Sequence, residues 1–170
     1  GHQGADRRLM VSLRRFLIGR RKSPLDRMTV HEFQFDDARV RRALSRAVDR
    51  AALVREVLGG HAETAHTALP PTLFGHDTRS RELVLDRDAA RRLLADARVP
   101  EGVEMTLTVS RAPRPYLLDP LRVAARLRDD LAAVGVAVRF REVPTWTEHV
   151  ELASRGDFDL ALLGWQADTL

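Results

Sequence analysis

An α/β fold, a layered and mostly parallel sheet with flanking helices, is what this sequence predicts. Two observations carry the prediction. From Val103 to Leu163 the chain alternates strand, helix, strand, helix, strand, an order that implies parallel strands joined by right-handed crossovers. The last of these segments, Phe158 to Leu163, is an apolar run apart from Asp159, as expected of a buried strand.

Before the alternation, Asp36-Asp37 opens the strongest helix. Val40, Leu44, Ala47, Val48, Ala51, Val54 and Leu58 recur at helical spacing, and Gly59-Gly60 ends the run. The two carboxylates stand where they cap free N–H groups at the positive helix end. Arg39, Arg41, Arg42, Arg46 and Arg50 fall mostly on the opposite, wet face. From His61 to Leu85 there is little periodicity, with Pro70-Pro71 and Gly75 inside, and a loop of that length is often functional or wrapped over a neighbouring surface. Asp86 caps a second helix that turns Ala89, Ala90, Leu93, Leu94 and Ala97 inward and stops at Val99-Pro100-Glu101-Gly102.

The first strand shows strict alternation, with Val103, Met105, Leu107 and Val109 on one face and Glu104, Thr106, Thr108 and Ser110 on the other. Asp119-Pro120 is a cap followed by proline at the first helical position. That helix runs through Leu121, Ala124, Leu127, Leu131 and Val134 to Gly135. Val136, Val138 and Phe140 form the second alternating strand, and Pro144-Thr145-Trp146 opens a helix ending near Arg155-Gly156. The final strand then delivers Gly164, Trp165, Gln166 and Asp168 to its C-terminal edge. Ligands of open α/β sheets bind in the crevice outside that edge.

Composition excludes several classes. With 170 residues, 44% hydrophobic and 31% charged, the chain has the balance of a folded domain or lobe rather than a disordered segment. The net charge of +4 is uneven: residues 7–22 hold seven cations and no anion, and Lys22 is the only lysine. The remainder is near neutral, which argues against a nucleic-acid surface over the whole chain. There is no cysteine, so disulfides and thiolate metal sites are out. No apolar stretch reaches the roughly 20 residues of a membrane span. Arg14 and Arg15 split the apolar pieces near the start, whereas an export signal needs about 7–15 unbroken apolar residues.

The domain expectation is therefore a basic segment over residues 1–30, with Gly1-His2 like a tag remnant, followed by a single lobe over residues 31–170. Residues 8–20 are expected to form a short amphipathic helix docked on the domain; a membrane-surface or nucleic-acid arm is the alternative.

Several segments together resemble family 5 extracytoplasmic solute-binding proteins, the dipeptide, oligopeptide and nickel receptors of ABC importers. Phe35 to Arg50 is similar to that family's F-D-D-x-R-V-R-x-A-L-x-x-A-I/V-D-R helix. Gly59-Gly60 with Leu69-Pro70-Pro71 resembles its glycine-ended helix and proline-rich loop, and Asp86 to Ala97 its D-x-x-x-A-K/R-x-L-L-x-x-A helix. Leu131 to Val138 and Gly156 to Asp168 match the later motifs in the same order.

The resemblance covers roughly residues 33–168 and implies one lobe of a type II periplasmic-binding-protein-like fold. It implies capture of a small solute, expected to be a peptide, between two lobes that close on it, and presentation of that solute to an ABC permease. Family members run to several hundred residues, so the chain reads as the C-terminal lobe with its N-terminal partner lobe missing. The setting implied is periplasmic, or extracellular and lipid-anchored. A rival reading is the solute-sensing module of a cytoplasmic transcription regulator, with residues 7–22 as the trace of a DNA-binding segment.

Peptide-binding members of the family hold the peptide ammonium with an Asp in the W-x-x-D segment. That places Asp168 as ligand anchor, Trp165 as an aromatic wall, and Gln166 as a further hydrogen-bonding group. The plainer alternative is that Trp165 packs in the lobe and Asp168 shapes a turn. Trp146 starts a helix beside a strand end and is expected in the core, with a place facing the cleft as the alternative. His61, His66 and His76 lack metal-ligand spacing. No nucleophile turn, phosphate loop or cofactor lysine is present, so no catalysis, cofactor or metal is expected.

Overall fold

The computed structural model describes residues 9–11, 37–64, 84–115 and 117–164. Its first element is a strand, β1 (Leu9–Val11), where the sequence suggested part of an amphipathic helix. β1 pairs in parallel with β2 (Ala62–Thr64), Leu9 opposite Ala62 and Val11 opposite Thr64. A strand's partner across fifty residues leaves no mark in local periodicity, which explains the misreading. The other residues of the expected 8–20 helix lie outside the described residues.

Helix α1 (Ala38–Ala47) starts as its cap chemistry requires, with the Asp37 carboxylate accepting from the Arg39 N–H at 2.7 Å. Its apolar stripe of Val40, Ala43, Leu44 and Ala47 is buried. The helix does not run on to Leu58. Val48 is extended, Asp49 caps α2 (Arg50–Ala52) through the Ala52 N–H, and Leu53–Val57 follows as a wider π-helical turn. The break turns Arg50 inward, 7% exposed and bonded to the Ser45 carbonyl and hydroxyl. Of the five arginines assigned to the wet face, this one belongs to the interior.

α3 (Arg87–Asp96) is capped by Asp86 and packs against α1. Arg39 reaches across to donate to the Asp96 carbonyl at 2.8 Å. An arginine on the solvent side of one helix thus satisfies the open C-terminal end of the next.

β3 (Val103–Ser110), α4 (Pro120–Ala132), β4 (Val136–Val143), α5 (Trp146–Arg155) and β5 (Leu160–Ala161) follow among the described residues. All three strands are parallel, in the order β4-β3-β5, with Val103 opposite Val136 and Leu107 opposite Leu160. β4 lies on one side of β3 and β5 on the other, so right-handed crossovers put α4 and α5 on opposite faces. The core joins Met105, Leu107 and Val109 to Val123, Leu127 and Leu131 of α4, and to Leu44 and Leu94 from the preceding helices.

β5 is shorter than the apolar run suggested. Its ladder is extended by the Asp159 side chain, which accepts from the Thr106 N–H at 2.9 Å. The carboxylate stands in for a strand carbonyl, so the run can start one turn after the αL cap at Gly156 (φ 68°).

Candidate ligand-binding edge

The C-terminal ends of β3, β4 and β5 meet at one edge of the sheet. β3 ends at Ser110, whose hydroxyl accepts from the Ala112 N–H at 3.1 Å, while the Arg111 N–H bonds back to Val143 at 2.8 Å. Arg114 and Leu117 then exchange backbone hydrogen bonds of 3.0 and 2.8 Å. Leu117 is buried and holds this loop to the lobe, whereas Leu118 beside it is 76% exposed.

α5 begins at the same edge. The Thr145 hydroxyl accepts from the Glu148 N–H, which fixes the first turn. Trp146 and His149 are three residues apart, the spacing that brings side chains together on a helix. Their rings stack with centroids 5.4 Å apart and planes at 26°. The Arg114 guanidinium sits 4.9 Å from the centre of the Trp146 ring, a cation on an electron-rich face. Trp146 is therefore half-buried and joined to a cation, rather than sealed in the core as the sequence suggested.

β5 brings the chain to this edge on the other side of β3. The Leu162 N–H bonds to the Thr108 carbonyl at 3.0 Å, and the described chain ends two residues later at Gly164. Trp165, Gln166 and Asp168 lie outside the described residues. The approach to them is firm: Leu160, Ala161 and Leu162 are buried.

Along β4 the charges are paired. Arg111 meets Glu142, Arg141 meets Asp157 at 3.1 Å, and Arg139 meets Glu104. These exposed pairs each contribute about 0–1 kcal/mol, so they trim the rim rather than build a charged site. Buried His149 differs: burial pushes its imidazole below the ordinary value, and the Leu162 backbone only partly opposes this.

Among the described residues no group of three metal-ligating side chains comes together. His61 is exposed after the glycine turn, and His66 and His76 lie outside the described residues. No helix among the described residues is long and apolar enough to cross a membrane.

Sequence reasoning passed over Arg114 and His149. A signal existed for both: Arg114 stands between Pro113 and Pro115 just past a strand end, and His149 lies one turn after Trp146.

Comparison with known proteins converges. Residues 27–170 match the family described as "Bacterial extracellular solute-binding proteins, family 5 Middle". Di/tripeptide-binding protein 1 of Pseudomonas aeruginosa is 34% identical over 134 residues, 79% of this chain and 25% of that protein. Heme-binding protein A of Haemophilus influenzae is 30% identical over 134 residues, 79% of this chain and 24% of that one. Among solved structures, a dipeptide-binding protein from Pseudoalteromonas sp. SM9913 in complex with Met-Leu superposes with a TM-score of 0.74 at 29% identity. That superposition covers 81% of this chain and 27% of the other. The chain spans about a quarter of the length of the curated relatives it matches.

Proposed function

The chain belongs to family 5 of the bacterial extracellular solute-binding proteins, and from that premise we propose that it forms one wall of a peptide-capturing cleft. Its fold is one lobe of the type II periplasmic-binding-protein architecture. The observation that carries the proposal is the convergence at the carboxyl edge of the sheet. The Arg114–Trp146 pair closes one side of that edge, and buried β5 leads to Gly164 on the other. Such an edge is where open α/β sheets take their ligands.

A short peptide carries an ammonium at one end and a carboxylate at the other. Asp168 supplies the anion for the ammonium, with Trp165 and Gln166 beside it. Arg114 supplies a cation for the carboxylate, already oriented by its aromatic seat. Both contacts form in a cleft that a second lobe would close, where reduced water strengthens each of them. The work is binding and closure, with no bond made or broken. The complete protein would act outside the cytoplasmic membrane and pass its solute to an ABC permease.

Calorimetry tests this. The complete protein should bind a dipeptide such as Met-Leu, and Asp168→Ala should remove that binding. This chain alone has half the cleft and should bind Met-Leu only weakly. Micromolar or tighter affinity by the isolated chain would refute the half-cleft reading.

A further inference from the structure

His149 is fully buried, and neither Nδ1 nor Nε2 has a well-formed hydrogen-bond partner, the Leu162 backbone making only a weak contact. An unmatched buried polar group costs about 1–3 kcal/mol, so this side chain is held in place at the expense of stability. What it gains is contact with Trp146, whose indole also carries the Arg114 guanidinium.

The surroundings suit a neutral ring and oppose a charged one. From β3, the face toward α5 offers Thr108 and Ser110, both buried and uncharged, and the Thr108 hydroxyl is itself without a partner. From β4, that face carries Arg139 and Arg141, cations held by Glu104 and Asp157. From beyond β5 comes Leu162, and from the β3–α4 loop comes Arg114. On α5 itself Glu148 and Glu151 are exposed. Among the described residues no carboxylate bonds the imidazole. An imidazolium on the indole gains about 2 kcal/mol, while an ion buried without a partner loses several kcal/mol. The desolvation cost wins.

We infer that His149 is a positioning residue and an acid-sensitive latch: neutral, it seats Trp146 beneath Arg114, and on protonation the Arg114–Trp146–His149 stack comes apart. Its consequence for peptide capture rests on the function proposed above; the latch itself does not. The sign follows from burial. Above about pH 6.5 the imidazole is neutral whether the chain is folded or not. As pH falls from there toward the depressed folded value, the unfolded or released ring binds the proton more readily, and the stacked state loses stability.

The experiment uses the 170-residue chain carrying Trp165→Phe, which leaves Trp146 as its only tryptophan. Trp146 emission is followed from about pH 8 to about pH 5, across the imidazole range. A transition with a midpoint below about 6.5 is expected, and it should vanish when His149→Phe is added. A ring-NMR titration of His149 without that second substitution gives the same midpoint independently, whether or not the Phe variant folds. An unchanged transition in the Phe variant, or His149 titrating at or above about 6.5, overturns the latch. Neither readout contains peptide, so failure of the complete protein to bind Met-Leu would sink the proposed function and leave this result standing.

Discussion

Asp130 is the residue whose removal should be felt most outside the apolar core. The residue is 2% exposed and its carboxylate accepts three hydrogen bonds. One comes from the Asp49 backbone N–H at 3.0 Å, the others from Arg87 and Arg126, each at 3.2 Å. The Asp49 bond sits at the break between α1 and α2, so Asp130 on α4 ties that break to the sheet layer. In Asp130→Ala the Asp49 N–H loses its acceptor, at about 1–3 kcal/mol. The arginines lose less. Arg87 is 40% exposed and turns to water, and Arg126 keeps Glu56 at 2.7 Å. These pairs are partly buried, but both arginines keep access to water or to Glu56, so their loss adds about 1 kcal/mol. The sum is about 2–3 kcal/mol, or a drop in Tm of about 5–10 °C for a chain of this size.

Asp130→Asn separates the contributions, because its amide oxygen still accepts from Asp49 while the charge is gone. It should cost about 1 kcal/mol, matching loss of the arginine pairs alone. Urea unfolding followed by circular dichroism at neutral pH measures both. The reasoning is refuted if Asp130→Ala lies within about 0.5 kcal/mol of the unsubstituted chain, the range of an ordinary surface change. An Asn variant as damaging as the Ala variant would show that charge, and not the Asp49 bond, is what matters.

Asp159→Ala should cost about 1–2 kcal/mol by stripping the Thr106 N–H of its acceptor, and hydrogen exchange at Thr106 should quicken; an unchanged exchange rate would count against the side chain's place in the ladder. Gly156→Ala forces a Cβ into a left-handed cap at φ 68° and should cost about 1 kcal/mol; a neutral or stabilising result in thermal melts would contradict the strain argument. In the complete protein, Asp168→Ala should weaken dipeptide binding by at least about a hundredfold, the scale of a charge-assisted contact worth about 3 kcal/mol. A change under threefold by calorimetry would move the anchor elsewhere. Arg114→Ala should weaken dipeptides more than their C-terminal amides, which lack the carboxylate, and equal losses would argue for a packing role instead.

Much of the fold was legible because its signals are local. Asp37, Asp86 and Asp119 each cap the helix that the sequence assigns to them, since a cap needs only a side-chain oxygen and an N–H two or three residues on. The alternation of Val103 to Ser110 and Val136 to Phe140 foretold two parallel neighbours, and they pair over their full length. The break after Ala47 was not legible. The apolar stripe continues in phase through it, and the Asp49 N–H at the break is bonded to an acceptor on Asp130, eighty-one residues away. β1 and β2 escaped for the same reason, each needing a distant partner.

The sequence by itself determined the class of fold, the order of its strands and helices, and the strand exit at which Gly164, Trp165 and Asp168 follow one another. Periodicity, caps and motif order are written in neighbouring residues, so these could be read without coordinates. Only the tertiary structure decided which side chains share that exit. Arg114 comes from a loop after β3 and Trp146 and His149 from the first turns of α5, and parallel crossovers bring both to the edge where β5 ends. Arg50 and His149 are buried for the same reason: burial depends on what the rest of the chain packs around a residue, and no local pattern of charge or polarity records that.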